Sequence, residues 1–431
     1  MNKLAEELNS VLDKCVAGRL LSRFGRRVYF PKGIIAQSAE AKKSAWTANA
    51  TIGMAFHRGK PMILSALSEN LPHLTEAETV AYAPTAGVEQ VRELWQRLII
   101  EKNPSLKKEA ISLPVVVPGI TAGISYTADL FLDAGQKLIT NEPCWDNYGL
   151  IFEERREAVL HSVRFLNDSG LDIDAIKTAI EKDAKTGAVR VIFNFPNNPS
   201  GYSPTESEAD ALCECLKKAA DGGADVLVIC DDAYYGLIYE DETCKESIFC
   251  RLSGLHERIL AVKADGPTKE DYVWGLRVAL LTFGSKGMNQ ADFDALNSKL
   301  MGAIRSSVSC SNTPAQYLLL KTFAGPNTAA EKTHYRAILK RRYKAVREFV
   351  EARKNHKILK ALPFNSGYFM SFECHGIDAE TLRKELLSGH GIGTVSFGGT
   401  YLRLAYAALN EEQIPNILET IFKTAEELAL K

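Results

Sequence analysis

Lys269 lies in the segment DGPTKEDYVWGLR (residues 265–277) and is the chain's best candidate for covalent chemistry. A lysine amine can form a Schiff base with a carbonyl compound, although most lysines are solvated surface charges. Three other segments carry polar groups that a carbonyl cofactor bound to this amine would need. They are VVPGITAG (116–123), NFPNNPSG (194–201) and VLVICDDAYY (226–235). The four segments together predict an active site, which the lysine alone does not.

Asp231 follows the apolar run 226–230, which predicts a buried parallel strand. Open α/β sheets bind ligands at the carboxyl ends of such strands. A buried carboxylate there could keep a pyridine nitrogen protonated, which pyridoxal phosphate needs in order to act as an electron sink. Tyr234 and Asn198 could donate hydrogen bonds to the phenolic oxygen of that cofactor. Taken alone, Asp231 could also cap a helix, and the NNPSG sequence could form an ordinary turn.

The loop PGITAG (118–123) could bind the phosphate of such a cofactor. An apolar run at 113–117 precedes it, and a helical pattern of apolar residues up to 131 follows it. A strand, a glycine loop and a helix start leave backbone N–H groups free near the positive end of a helix dipole. A nearby arginine could add a bidentate contact. The candidate phosphate ligands are Gly119, Ile120, Thr121, Ala122 and Arg277.

From about Tyr82 to Arg403 the chain resembles the class I aminotransferases, which are fold-type-I pyridoxal-phosphate enzymes typified by aspartate aminotransferase. The resemblance implies that Lys269 holds pyridoxal 5'-phosphate as an aldimine. It implies that the enzyme moves the amino group of a dicarboxylic or aromatic L-amino acid to a 2-oxo acid. Catalytic roles then fall to Lys269, Asp231 and Tyr234. A β-lyase acting on cysteine conjugates is the alternative on the same scaffold.

The same resemblance assigns residues on the substrate side of the cofactor. Trp145, in NEPCW, would stack on the pyridine ring, and Asn198 would hold the ring oxygen beside the substrate. Arg403, in YLRLA, would bind the substrate α-carboxylate. Arg305 resembles the arginine that binds a side-chain carboxylate across the subunit interface in aspartate aminotransferase. An ordinary surface arginine is the alternative for Arg305, so a dicarboxylic substrate competes with an aromatic or broad range of substrates.

One further position matches the family, and three places in the sequence depart from it. Tyr82, in YAPTAG, would reach the phosphate of a neighbouring subunit, which implies a homodimer with composite active sites. Gly266 stands where the family usually carries a serine, and Thr268 or the backbone is expected to compensate. The segments YFPKG (29–33) and NATIGM (49–54) also depart from the usual N-terminal sequence of the family. The resemblance therefore does not define the loop at the substrate entrance, or the substrate that this loop would select.

Apolar runs that predict strands alternate with helical patterns, as in βαβ units. Together with the resemblance, they imply an α/β fold of type I: a large domain with a mostly parallel seven-stranded sheet sandwiched by helices, plus a smaller α+β domain. The expected parts are an N-terminal segment (1–70) packing on the small domain, a large cofactor-binding domain (71–325) and a small C-terminal domain (326–431). The candidate strands are 115–117, 137–140, 189–193, 226–230, 259–262 and 279–283, and the candidate late helices are 329–354 and 411–430.

The composition argues against several other classes of protein. With a formal net charge of −1 over 431 residues, the chain offers no electrostatic basis for binding nucleic acid. It has no apolar stretch of about 18 residues and no signal-peptide pattern at its start, so we expect no membrane association and a cytoplasmic location. The nine scattered cysteines indicate reduced thiols, and metal-ligand spacing is lacking, so no metal is expected.

Overall fold

The computed structural model describes residues 1–12, 26–27 and 34–430 of the chain. The atypical YFPKG segment at 29–33 lies outside the described residues. Within the described ranges, no helix is both long enough and apolar enough to cross a lipid bilayer.

The described strands form one large sheet, one smaller sheet and two short pairs. In chain order they are β1 (Ala48–Asn49), β2 (Phe56–His57), β3 (Lys60–Pro61), β4 (Val115–Val117), β5 (Lys137–Asn141), β6 (Val159–Val163), β7 (Ala188–Asn194), β8 (Asp225–Asp231), β9 (Ile259–Asp265), β10 (Ala279–Gly284), β11 (Leu359–Ala361), β12 (Met370–Cys374), β13 (Ile392–Gly393), β14 (Val395–Phe397) and β15 (Tyr401–Leu404).

The large sheet has seven strands in the order β4, β10, β9, β8, β7, β5, β6. Only β10 is reversed, since it runs antiparallel to both of its neighbours while the other pairings are parallel. The expected mostly parallel seven-stranded sheet is confirmed, and every predicted strand is found. The edge strand β6 has no counterpart among the predictions. Its sequence VLHSV is half-exposed and lacks a continuous apolar run.

Successive side chains of the central strands enter two hydrophobic cores, one on each face of the large sheet. Leu227 and Ile229 of β8 belong to one core, and Val226 and Val228 belong to the other. A strand buried on both faces needs a continuous apolar run and a layer of helices on each side. This explains why unbroken runs such as VLVIC predict the central strands well.

Helices cover both faces of the sheet and continue into the C-terminal part of the chain. The longest, predicted at 329–354, begins at Thr328 and ends at Glu351. The last, predicted at 411–430, begins at Ile414 after a 3-10 turn and ends at Ala429.

In chain order the described α-helices are α1 (Lys3–Leu12), α2 (Ile34–Ser44), α3 (Ser65–Asn70), α4 (Glu76–Val80), α5 (Glu89–Lys102), α6 (Ile120–Phe131), α7 (Ile173–Ala184), α8 (Glu206–Asp221), α9 (Ile248–Ser253), α10 (Gln290–Arg305), α11 (Thr313–Phe323), α12 (Thr328–Glu351), α13 (Ala379–His390) and α14 (Ile414–Ala429), and a π-helix spans Gly149–Glu154.

The C-terminal part forms a four-stranded antiparallel sheet in the order β11, β12, β15, β14. The N-terminal region contacts this part, because β1 pairs in parallel with β13 and α2 packs on β13 and β14. Helix α3 instead packs against α11. We keep the division at residues 70 and 325 into an N-terminal segment, a large domain and a small domain as a proposal.

Candidate active site

A cavity with about 430 Å³ of open space lies at the carboxyl ends of β7 and β8 and beside the turn after β9. This edge is where open α/β sheets bind ligands. Residues from five separate stretches of the chain meet there, including Asn194 and Ala233, which the sequence motifs did not single out. The predicted site residues that line the cavity are Ile120, Thr121, Trp145, Asn198, Asp231, Tyr234 and Lys269.

Lys269 lies in the turn that follows β9, and its amine is 4.9 Å from the centre of the Tyr234 ring. Burial lowers the pKa of the Lys269 amine to about 8, although Asp231 opposes this shift and Arg277 adds to it. A lysine amine is a nucleophile only in its neutral form. The lowered pKa therefore gives Lys269 a reactive fraction near neutral pH that an ordinary surface lysine lacks.

Asp231 is the last residue of β8, and its carboxylate lines the cavity. The Tyr148 hydroxyl donates to Asp231 Oδ2 at 2.5 Å, and the Ala233 N–H donates to Oδ1 at 3.3 Å. Burial raises the pKa of Asp231 to about 6, against the opposing effects of the Tyr148 hydrogen bond and the Lys269 charge. A buried carboxylate is stabilised by a neighbouring cation, such as the protonated nitrogen of a pyridine ring.

Asp232, the next residue, has partners outside the cavity. The buried Lys263 forms an ion pair with Asp232 and lies 3.3 Å from Asp265. The Ser247 hydroxyl also donates to Asp232, at 2.6 Å. Neighbouring side chains of an extended strand point to opposite faces, which explains why the two aspartates are separated. Asp232 therefore belongs to a structural network, and Asp231 is the carboxylate available to a ligand.

Arg403 in β15 contacts Asn198, which lines the cavity. Arg403 is buried, with 2% of its surface exposed. Its Nη1 donates to Asn198 Oδ1 at 2.8 Å, and its Nη2 donates to the Thr51 carbonyl at 2.9 Å. Its Nε has no hydrogen-bond partner within the described residues. Burial lowers the pKa of Arg403 to about 10, against the opposing effects of Tyr234 and Asp146. A buried guanidinium in this state favours an incoming anion.

Tyr234 packs against Tyr368 and Phe369, whose ring centres lie 5.5 Å and 5.4 Å from its own. Burial raises the pKa of the Tyr234 phenol, against the opposing effect of Arg403. The hydroxyl therefore stays protonated and can donate a hydrogen bond to an anionic oxygen. A Cβ added to Gly53 would lie 3.7 Å from this hydroxyl oxygen, so the atypical NATIGM segment (49–54) borders the site.

The glycine loop connects β4 to α6, as the sequence pattern predicts. Helix α6 begins at Ile120, and Gly119 precedes it with a φ of 94°, a conformation that favours glycine. A Cβ on Gly119 would lie 2.2 Å from Nη2 of Arg277, so this guanidinium lies directly against the loop backbone. The N–H groups at the helix start and the adjacent guanidinium together form a cradle that suits a phosphate.

Gly266 lacks a side chain because β10 leaves no room for one. A Cβ at this position would lie 2.8 Å from the Cα atom of Ala279. The hydroxyl that the family usually carries here therefore has no place in this chain. Thr268 is buried, and neither Thr268 nor Ala122 is among the residues that line the cavity. Within the part of the chain that the structure describes, the loop and Arg277 remain the candidates for contacts to a phosphate.

Two polar residues that the motifs did not reveal, Tyr148 and Asn194, complete the site. Asn194 ends β7 in register with Asp231, and its Nδ2 donates to the Asp231 carbonyl at 2.8 Å. Its Oδ1 accepts the Asn198 N–H at 2.7 Å. Tyr148 follows Trp145 by three residues, and the two ring centres lie 5.5 Å apart. The sequence signal for Asn194 was its position at the end of a predicted strand, next to the strand that ends at Asp231. The signal for Tyr148 was its spacing of about one helical turn from Trp145.

Tyr82 and Arg305 do not line the cavity of their own chain. Tyr82 is 92% exposed. Arg305 is an exposed residue at the end of α10, where its guanidinium contacts the Ser309 hydroxyl. Their assignment to the active site of a partner subunit stays a prediction.

Comparison with known proteins places the chain among aminotransferases. The family model described as aminotransferase class I and II matches residues 46–421. A probable N-acetyl-LL-diaminopimelate aminotransferase of Bacillus subtilis is 21% identical, over 81% of each chain. An aspartate aminotransferase of the same organism is 23% identical, over 70% of this chain and 71% of its own.

Solved structures with the same fold cover nearly the whole chain. An aminotransferase from Anaerococcus prevotii has a TM-score of 0.82 at 23% identity, covering 92% of this chain and 98% of its own. The aspartate aminotransferase of Thermus thermophilus with maleate has a TM-score of 0.73 at 21% identity, with 94% and 99% covered. An aromatic aminotransferase from Pyrococcus horikoshii has a TM-score of 0.72 at 18% identity, with 91% and 99% covered.

The sheet topology defines an α/β fold of type I, which the chain shares with solved aminotransferase structures. Because the family model spans most of its length, the chain belongs to the class I and II aminotransferases, which depend on pyridoxal phosphate. The residues present fit that cofactor. The space beside Arg277 that a Cβ on Gly119 would fill is left open, as a phosphate cradle requires. The Asp231 carboxylate, whose pKa is raised, lines the cavity. The predicted family, fold and cofactor are confirmed.

Proposed function

We propose that this enzyme moves the α-amino group of a dicarboxylic or aromatic L-amino acid to a 2-oxo acid. The observation that supports this most strongly is Arg403. Its buried guanidinium has an Nε without a hydrogen-bond partner among the described residues, and its contact with Asn198 links it to the Lys269 cavity. A substrate α-carboxylate would complete the contacts of Arg403 and would orient the α-carbon toward the cofactor.

The residues that line the cavity would hold pyridoxal phosphate by its separate functional groups. When bound, the cofactor withdraws electrons from the substrate α-carbon through its protonated ring. We assign Lys269 to the covalent link, Asp231 to the pyridine nitrogen, and Tyr234 and Asn198 to the ring oxygen. Trp145 would cover one face of the ring and exclude water from it.

The phosphate would bind at the loop formed by residues 119–122, with Arg277 as its cationic partner. This assignment is supported by the start of α6 and by the close approach of the guanidinium to Gly119. Thr268 is retained as a contact on resemblance alone. Tyr82 would come from the partner subunit of a homodimer, and its exposure in the single chain is compatible with that role.

Lys269 would also move the proton of the substrate α-carbon. When it is not in the covalent link, its amine would stay in the same cavity. Its pKa, lowered to about 8, suits a base that works near neutral pH. Asp231 would remain an anion throughout and would keep the ring nitrogen protonated.

The rate at which the apoenzyme takes up pyridoxal phosphate is expected to rise with pH and to level off above about 8. Attack on the aldehyde requires the neutral amine of Lys269, whose pKa is lowered to about 8. An ordinary lysine, with a pKa of about 10.4, would give a rate that keeps rising. Stopped-flow absorbance across the pH range measures this rate, and a profile that is still rising steeply above pH of about 9 would contradict the assignment.

Gly119→Ala is expected to weaken the binding of pyridoxal phosphate by about tenfold or more, ~1.4 kcal/mol, because the new methyl group would displace the Arg277 guanidinium. Equilibrium titration of the apoenzyme measures the affinity. Gly135→Ala is the matched control, since Gly135 has a φ of 79° but open space around its Cβ position. Equal losses in the two variants would attribute the effect to backbone strain and remove the argument for a phosphate cradle.

Arg305→Ala is expected to reduce activity toward aspartate or glutamate by roughly 2–5 kcal/mol more than activity toward aromatic amino acids. The proposed reason is a charge pair between Arg305 and a substrate side-chain carboxylate in the partner's site. The names of the similar proteins do not decide this, because aspartate and aromatic aminotransferases both occur among them. Steady-state kinetics with both substrate classes test it. Equal losses would leave an aromatic or broad range of substrates.

Subunit complementation tests whether Arg305 acts in the active site of the partner subunit of the proposed homodimer. A Lys269→Ala chain mixed with an Arg305→Ala chain should form hybrid dimers with one complete site and one site that lacks both residues. Activity toward aspartate should then exceed that of either parent. If mixing recovers no activity although hybrids form, Arg305 does not act across a subunit interface.

Half-reactions with single amino acids test the proposed reaction itself. The holoenzyme is mixed with each amino acid in turn, and the cofactor spectrum, the 2-oxo acid and ammonia are measured. Transamination predicts conversion of the cofactor to its amine form with an equal amount of 2-oxo acid and no ammonia. Release of pyruvate together with ammonia from a cysteine conjugate would instead support the β-lyase alternative.

A further inference from the structure

The turn that carries Lys269 is held on the side away from the Lys269 amine by a group of charges, of which Asp271 is buried and the other three are half-buried. Glu270 and Asp271, the two residues after Lys269, face two lysines from distant helices. Lys102 at the end of α5 lies 2.6 Å from Glu270. Lys332 in α12 forms an ion pair with Asp271 and lies 3.9 Å from Glu270. Two acids and two lysines thus connect this turn to α5 and α12.

Asp271 depends on Lys332 more than Glu270 does. Its side chain is 2% exposed, and Lys332 is its ion-pair partner among the described residues. Neither oxygen of Asp271 has a further hydrogen-bond partner there. Burial raises the pKa of Asp271, and Lys332 opposes that shift. A buried carboxylate that loses its ion-pair partner takes up a proton or moves toward water, and either change alters how Asp271 holds the turn.

Later parts of the chain fix the same turn at two more points. The Tyr368 hydroxyl donates to the carbonyl of Lys269 at 2.7 Å. Tyr335 of α12 packs edge-on against Tyr272, with ring centres 5.2 Å apart. The turn is therefore fixed by side chains that hold its backbone and its far end, while the Lys269 side chain is left free to enter the cavity.

We infer that Lys332 is a positioning residue for Lys269 and acts through its ion pair with Asp271. The inference rests on the proposed covalent role of Lys269. A lysine that must attack an aldehyde and later reach a substrate proton needs its backbone held to within a fraction of an ångström, and small displacements of reacting groups cost large factors in rate. Lys332 provides this constraint without touching the cofactor.

The test compares Lys332→Met and Asp271→Asn with Lys344→Met, which removes a lysine from the exposed side of the same helix. The measurements are the rate of covalent pyridoxal-phosphate uptake by the apoenzyme, the pH midpoint of the cofactor absorbance in the holoenzyme, and the melting temperature. Both site variants should take up cofactor about tenfold more slowly and shift the midpoint. Lys332→Arg should restore both readouts, and Lys344→Met should change neither.

A double variant, Lys332→Met with Asp271→Asn, is measured in case a single variant fails to fold. It removes both members of the ion pair and therefore leaves neither charge buried without its partner. It should fold and still show slow uptake. Lower melting temperatures with unchanged uptake rates and midpoints would overturn the inference and leave Lys332 a purely structural role. Failure of the proposed function is distinguishable, since borohydride reduction of the parent enzyme would then label a lysine other than Lys269.

Discussion

Lys269→Ala is expected to slow amino-group transfer by a factor on the order of 10⁴ or more. The variant loses both the covalent attachment point of the cofactor and the amine that would move the proton of the substrate α-carbon. Asp231, Arg277 and Arg403 remain in place, so cofactor and substrate should still bind without a covalent link. Single-turnover absorbance kinetics at saturating amino acid measure the loss.

An exposed lysine provides the control for this substitution. Lys286 follows β10 and lies on the surface, so Lys286→Ala should keep the full rate. A Lys269→Ala enzyme that turned over within tenfold of its parent would show that another group performs both steps.

Asp231→Ala is expected to slow the reaction by several orders of magnitude, an increase of at least ~4 kcal/mol in the activation barrier. Without this carboxylate the pyridine nitrogen loses its proton, and the ring no longer withdraws electrons from the substrate α-carbon. Pre-steady-state measurement of the first half-reaction isolates the affected step. Spectra of the bound cofactor show whether binding itself survives.

Asp231→Asn separates charge from shape, because asparagine keeps the volume and one carbonyl oxygen for the Tyr148 hydroxyl. It should lose nearly as much activity as Asp231→Ala. Turnover close to that of the parent in Asp231→Asn would exclude the proposed role for the negative charge.

The sequence predicts the central sheet well because its strands are buried on both faces. Apolar runs mark β7, β8 and β9, with Arg190 as the one interruption in the run of β7, and polar residues directly after a run mark the cavity edge, as Asp231 does. Gly119 and the start of α6 follow from the same strand, loop and helix pattern. The half-exposed β6 shows the limit of this reasoning, since an edge strand needs no unbroken apolar run.

Contacts between distant parts of the chain could not be predicted, because motifs record local spacing and not tertiary packing. The hydrogen bond from Tyr148 to Asp231 and the ion pair of Lys332 with Asp271 arise only when separate elements meet. The reason for Gly266 is similarly tertiary, since it is the neighbouring strand β10 that excludes a side chain. The homodimer, the cytoplasmic location and the roles of Tyr82 and Arg305 stay predictions.

Borohydride reduction of the holoenzyme followed by peptide mapping tests the central claim most directly. Reduction fixes the cofactor to the lysine that carries it, and mass spectrometry of the digested protein locates the pyridoxyl group. The predicted result is a single label on Lys269, in the peptide that contains DGPTKEDYVWGLR, which lies at the cavity edge beside Asp231 and Tyr234. A label on any other lysine, or no label despite full occupancy by the cofactor, would contradict the proposed active site.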